Sequence, residues 1–120
     1  MGMMIDGVWH RDDGIWARGD GRFERRPTTF RNWVTADGSP GPTGEGGFKA
    51  EPGRYVLYVS LACPWAHRAL IVRRLKELEA AIPVSVVHWR MLEDGWAFEP
   101  GPGVVPDPVF GARVLSEVYA

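Results

Sequence analysis

Residues Tyr55–Glu79 read YVLYVSLACPWAHRALIVRRLKELE, and the change of pattern midway through them decides the fold. Tyr55–Ser60 is aromatic and β-branched, bounded by Gly53 and by the turn into Cys63, and so predicts a buried strand. Beyond the turn, Ile71, Leu75, Leu78 and Ile82 recur at i, i+4, i+7 and i+11, with Arg73, Arg74, Lys76, Glu77 and Glu79 largely off that stripe. This predicts a helix of about sixteen residues, stopped by Pro83. VSVVHW, Val84–Trp89, predicts a second strand. Two strands joined by a single helix with no hairpin should lie parallel through a right-handed crossover. The stretch is therefore a βαβ unit with Cys63 at the carboxyl end of its first strand.

Working outward, 120 residues make about one domain, and a formal net charge of −1 leaves no basic footprint for nucleic acid. Of fifteen glycines and ten prolines, nine fall in Ala36–Gly53 and seven in Pro100–Gly111, which are expected to be loop. ADGSPGPTGEGGFKAEPG is not a phosphate-binding loop, because it lacks G-K-[ST] and precedes a strand rather than following one; it is expected to be mobile. Residues 1–35 show no sustained period of two or 3.6 and predict an irregular arm, whose Trp9, Trp16 and Trp33 either cover a core or subunit edge or line a pocket for an aromatic ligand. The division expected is residues 1–53 as arm and loop and residues 54–120 as the α/β part. No run reaches the eighteen apolar residues of a membrane span, and no charged and apolar leader opens the chain. With a single cysteine, which cannot form an internal disulfide, the protein reads as cytoplasmic, with a small-molecule partner.

Cys63 stands directly before Pro64, a residue suited to the first helical position, so the thiol falls at a helix N-terminus. Free N–H groups and the helix dipole favour a thiolate there, the reactive form of a residue that ordinarily ionises near about 8.5. The competing reading is a small buried cysteine filling a strand-to-helix gap. A dithiol partner three places on is missing, since Ala66 stands there, so any disulfide must form with another molecule. Trp65 shares the helix start, and His67, one turn on, could pair with the thiol or make a structural hydrogen bond. His88 reads as structural. One cysteine and three histidines complete no metal spacing, so no metal is expected.

CPWAHR and its flanks, with FRNWVTADG, GPTGEGGFKAEPGRY and MLEDGWAF, resemble the glutathionyl-hydroquinone reductases, the xi class of glutathione transferases. The resemblance implies a thioredoxin-like N-terminal domain followed by a helical domain, in a cytosolic homodimer that uses glutathione as co-substrate and acts on glutathionylated aromatic small molecules. It implies that Cys63 attacks the glutathionyl sulfur to release hydroquinone, and that Trp96 of EDGW contacts glutathione. Read alone, Trp96 is a tryptophan packed in a turn. Relatives continue through further strands, so the chain, ending within RVLSEVYA, is expected to be an incomplete thioredoxin-like fold, marginally stable and inactive alone. Two alternatives stay open: an omega-type transferase with thioltransferase or dehydroascorbate reductase activity, and a non-catalytic glutathione-transferase-like binding module.

Overall fold

The computed structural model describes residues 2–11, 27 and 29–120. Along the chain run β1 (Met3–Ile5), β2 (Val8–His10), β3 (Trp33–Thr35), β4 (Gly47–Lys49), β5 (Leu57–Ser60), α1 (Pro64–Leu75), β6 (Val84–Val87) and α2 (Leu115–Val118). The expected βαβ unit is present: β5 and β6 pair in parallel from Leu57↔Val84 to Ser60↔Val87, with α1 as the crossover. Val59, Val86, Val87 and Phe98 form the buried core, and Tyr58 meets Phe98 edge-on at 6.3 Å. Ser85, wholly buried in β6, is tolerated because its hydroxyl donates to the Val105 carbonyl at 3.0 Å. Val105 exchanges two 2.9 Å backbone bonds with Val86, an antiparallel bridge on the far edge of β6. The other edge of β5 has no strand partner among the described residues.

The helix is shorter than the periodicity indicates. It closes at Leu75 because Glu77 turns left-handed (φ 54°), so that its N–H reaches the Arg74 carbonyl at 3.1 Å and the Leu78 N–H reaches Arg73 at 3.0 Å. That is a Schellman closure built on glutamate instead of glycine, and no glycine or asparagine marks it in the sequence. The Arg73 guanidinium then donates to the carbonyls of Ile82 (2.6 Å) and Glu79 (3.1 Å), fixing Leu78–Ile82 as turns. The expected stripe is thereby corrected. Leu78 and Ile82 lie outside the helix, Ile71 and Leu75 are exposed, and the half-buried row of α1 is Ala66, Leu70 and Arg73. The strands are also shorter, β6 ending at Val87 where His88 turns to stack on Trp89.

Regular structure does not wait for Tyr55. β1 and β2 form an antiparallel hairpin (Met3↔His10, Met4↔Trp9, Ile5↔Val8) around Asp6–Gly7, both at positive φ (48° and 78°), the backbone of a two-residue type I′ turn. Three-residue strands leave no room for a period of two to declare itself. The glycine- and proline-rich stretch is likewise organised. β3 and β4 pair in parallel (Trp33↔Gly47 to Thr35↔Lys49) across a non-helical link, which the Asp37 carboxylate turns by accepting from the Ser39 N–H (3.1 Å) and hydroxyl (2.6 Å). These bonds, the Ser39 hydroxyl foremost, hold the Asp37 carboxyl below its ordinary range.

Candidate functional site

Cys63 is positioned by the turn that converts β5 into α1. Its N–H bonds the Ser60 carbonyl at 3.0 Å, and the Ser60 hydroxyl accepts the Ala62 N–H at 3.2 Å. Its backbone is extended (φ −92°, ψ 114°) while its carbonyl accepts the first helical bond, from the His67 N–H at 3.1 Å. Cys63 is thus the N-cap of α1, with Pro64 next in line, as its sequence context predicts. No side chain caps this end, no acidic residue sits in the first turn, and the thiol is half-buried. That combination leaves the positive end of the helix dipole facing a reachable sulfur. Trp65 is exposed, with the Arg68 guanidinium 4.7 Å over its ring. His67 is exposed and its imidazole has no hydrogen-bond partner among the described residues, so the structural bond considered for it is absent there.

Trp96 leaves a turn that follows β6. Leu92 and Gly95 bond each other across that turn (3.0 and 3.3 Å), and Gly95 is buried at φ 79°. A Cβ there would be strained by the backbone and would lie 2.7 Å from the Trp9 ring, so only glycine fits. On the other side the Trp96 carbonyl accepts the Leu115 N–H at 2.7 Å, and the Ala97 carbonyl accepts the His88 N–H at 2.7 Å. Half-buried, Trp96 lines a cavity of about 320 Å³ with Met4, Trp9, Met91, Leu115 and Tyr119 among its neighbours.

Because β5 and β6 are adjacent and parallel, the segments carrying Cys63 and Trp96 both leave carboxyl ends at the same edge of the sheet, where open α/β folds bind their ligands. Cys63 does not line the Trp96 cavity. His88 is half-buried, stacked on Trp89 at 5.0 Å, its Nδ1 accepting the Arg90 N–H at 3.1 Å. Of the three arm tryptophans, Trp9 lines the cavity, Trp33 is partly exposed over Gly41, and Trp16 lies outside the described residues. Among the described residues no cluster of three or more His, Cys, Asp or Glu side chains could hold a metal, and no helix is long and apolar enough to cross a membrane.

Two features behind the site were not foreseen. Asp107 is buried, and its carboxylate accepts from the Tyr58 hydroxyl (2.6 Å) and from the N–H groups of Val109, Phe110 and Ala112 (3.0–3.1 Å). Burial pushes its pKa up, but the Tyr58 and backbone donors outweigh burial and hold it at about 2. Burial first, and then Asp107, raise the Tyr58 hydroxyl to about 12. The pair ties β5 to the Pro106–Ala112 loop; the glycines and prolines of Pro100–Gly111 predict that loop, but nothing in the sequence pairs Asp107 with a tyrosine 49 positions away. The other feature is the β1–β2 hairpin, bonded to the Trp96 turn by Trp9 Nε1–H to the Glu93 carbonyl (3.1 Å) and Arg11 to Asp94 (2.5 Å).

No family model matches the chain. It is 55% identical over 120 residues to the glutathionyl-hydroquinone reductase YqjG of Escherichia coli K12, covering 99% of this chain and 37% of that protein. The glutathione-bound structure of YqjG superposes with a TM-score of 0.75 at 52% identity, over 97% of this chain and 32% of that one. The glutathionyl-hydroquinone reductase PcpF of Sphingobium chlorophenolicum is 47% identical, over 99% of this chain and 35% of its own length. A xi-class glutathione transferase from Natrialba magadii gives a TM-score of 0.79 at 50% identity, over 99% of this chain and 35% of that one. The chain thus spans about a third of the length of the relatives it matches.

Proposed function

We propose, from the premise that this chain is homologous to the N-terminal thioredoxin-like portion of the glutathionyl-hydroquinone reductases, the xi class of glutathione transferases, that it carries the nucleophile of such a reductase. The observation that carries the reading is the only thiol of the chain, half-buried at the N-cap of α1 with no side-chain cap of its own. The Cys63 thiolate attacks the glutathionyl sulfur of a glutathionyl-hydroquinone. A sulfur–sulfur bond forms, the sulfur–aryl bond breaks, and its electron pair passes to the ring carbon, which takes up a proton to give hydroquinone. A second glutathione thiolate then attacks the mixed disulfide, yielding oxidised glutathione and regenerating the Cys63 thiolate. The ring is reduced by two electrons, and the two glutathione sulfurs are oxidised.

In this reading Pro64 and Trp65 build the helix start that supports the thiolate, Trp96 contacts the glutathione moiety, and no step assigns a role to His67 or to a metal. The intact protein acts as a cytoplasmic homodimer. In it, Cys63→Ser should abolish hydroquinone release while leaving glutathione binding detectable; retention of most activity would defeat the mechanism. Faster turnover of a glutathionylated peptide or of dehydroascorbate than of the aryl conjugate would favour the omega-type alternative, and glutathione binding without any turnover would favour a binding module.

A further inference from the structure

In the N-terminal hairpin, Trp9 packs closely against the backbone of two glycines, Gly2 and Gly95. Cβ atoms added at Gly2 or Gly95 would each come within 2.7 Å of its ring, so two chain segments approach the indole closely at positions that have no side chain. Its Nε1–H donates to the Glu93 carbonyl at 3.1 Å, and two residues along, Arg11 donates to the Asp94 carboxylate at 2.5 Å. The contacts fall on Glu93, Asp94 and Gly95, three consecutive residues directly before Trp96. Trp9 and Trp96 also wall the same 320 Å³ cavity. The hairpin has the rigidity to act as a support, because its type I′ turn fixes the register that sets Trp9 opposite Met4.

We infer that Trp9 and Arg11 clamp the Glu93–Gly95 turn and are positioning residues for Trp96, so that docking of the N-terminal hairpin sets the affinity for glutathione. This rests on the reading that Trp96 contacts glutathione. Neither Trp9 nor Arg11 touches the reacting sulfur; each acts through the turn. Loosening the clamp removes the hairpin's hold on the turn before Trp96 and leaves that turn with its own Leu92–Gly95 bonds, while the Trp96 and Ala97 carbonyl bonds to Leu115 and His88 stay in place. Glutathione binding should then weaken with no change at Cys63, which is positioned by β5 and α1.

The test uses the intact protein, with glutathione affinity measured by calorimetric titration and Cys63 reactivity by iodoacetamide alkylation without ligand. Trp9→Phe, which keeps an aromatic ring at this position and removes the N–H to Glu93, should weaken glutathione binding about two- to tenfold. Arg11→Asp should weaken it about two- to fivefold, the pair being exposed, and addition of Asp94→Arg should restore it. Alkylation rates should stay within about twofold of wild type in all three. Wild-type affinity in both single variants, or affinity and alkylation moving together as in general loosening, would overturn the clamp while leaving the site reading intact. Failure of the unmodified protein to bind glutathione would instead overturn the site reading, and the clamp with it.

Discussion

Tyr58 and Asp107 show how one buried pair shapes the pH range of the fold. The Asp107 carboxyl sits at about 2 against an ordinary 3.8. Its depressed pKa adds stability that is present above about pH 4 and is lost as pH falls through 4 toward 2. Tyr58 is raised from 10.0 to about 12, so its contribution is present below pH 10 and is lost as pH climbs from 10 toward 12, where the unfolded chain ionises first. Urea midpoints measured against pH should therefore fall at both ends. In Tyr58→Phe the protein should be less stable at neutral pH and should lose this contribution to the alkaline fall; an unchanged alkaline limb would show that another group is responsible. At this scale the sequence was informative where chemistry is local. Cys63 and Pro64 are neighbours, and their positions at the helix start follow from adjacency alone. Tyr58 and Asp107, or Trp9 and Glu93, meet only through the fold, and neither pairing leaves a mark in the order of residues.

Elements were legible in proportion to their length. β5, α1 and β6 stand where their patterns place them, because a run of β-branched residues and a run with helical period each had space to repeat. The helix end was misplaced since Leu78 and Ile82 continue the period past a terminus set by one left-handed glutamate. That conformation is unfavourable for a residue with a Cβ, so Glu77→Gly should stabilise the protein by about 0.5–1 kcal/mol, read as a higher urea midpoint at unchanged slope. Arg73→Met should act the other way, by about 1–3 kcal/mol, because the carbonyls of Glu79 and Ile82 lose their donor. If Glu77→Gly destabilised instead, the Schellman closure would not be what ends the helix. The Asp6–Gly7 turn is a different case. An Asp-Gly pair between apolar residues signals a hairpin by itself, but the strands are three residues each and the charges around them hid the alternation. The parallel pairing of β3 and β4 had no signal of that kind, since a crossover without a helix is not something residue periodicity encodes.

At the scale of the whole molecule, the described chain exposes apolar surface that a self-sufficient domain would cover. Trp65, Ile71, Val72 and Leu75 of α1 are exposed, Leu75 to 75%, and the outer edge of β5 is unpaired among the described residues. Parallel sheets are ordinarily covered on both faces, and open edges invite pairing with other chains. Residues 1–120 produced alone should accordingly self-associate, unfold without a sharp transition and bind glutathione weakly, whereas a monomer that melts cooperatively and binds it would show that these surfaces need no further cover. In the proposed mechanism Cys63 takes the glutathionyl group from an aromatic thioether. The most direct measurement is a single turnover of the intact protein with a glutathionyl-hydroquinone and no free glutathione, followed by intact-mass and peptide mass spectrometry. We expect one glutathionyl group on Cys63 for each hydroquinone released, removed when glutathione is added. Hydroquinone released from a protein whose Cys63 stays unmodified would contradict the mechanism.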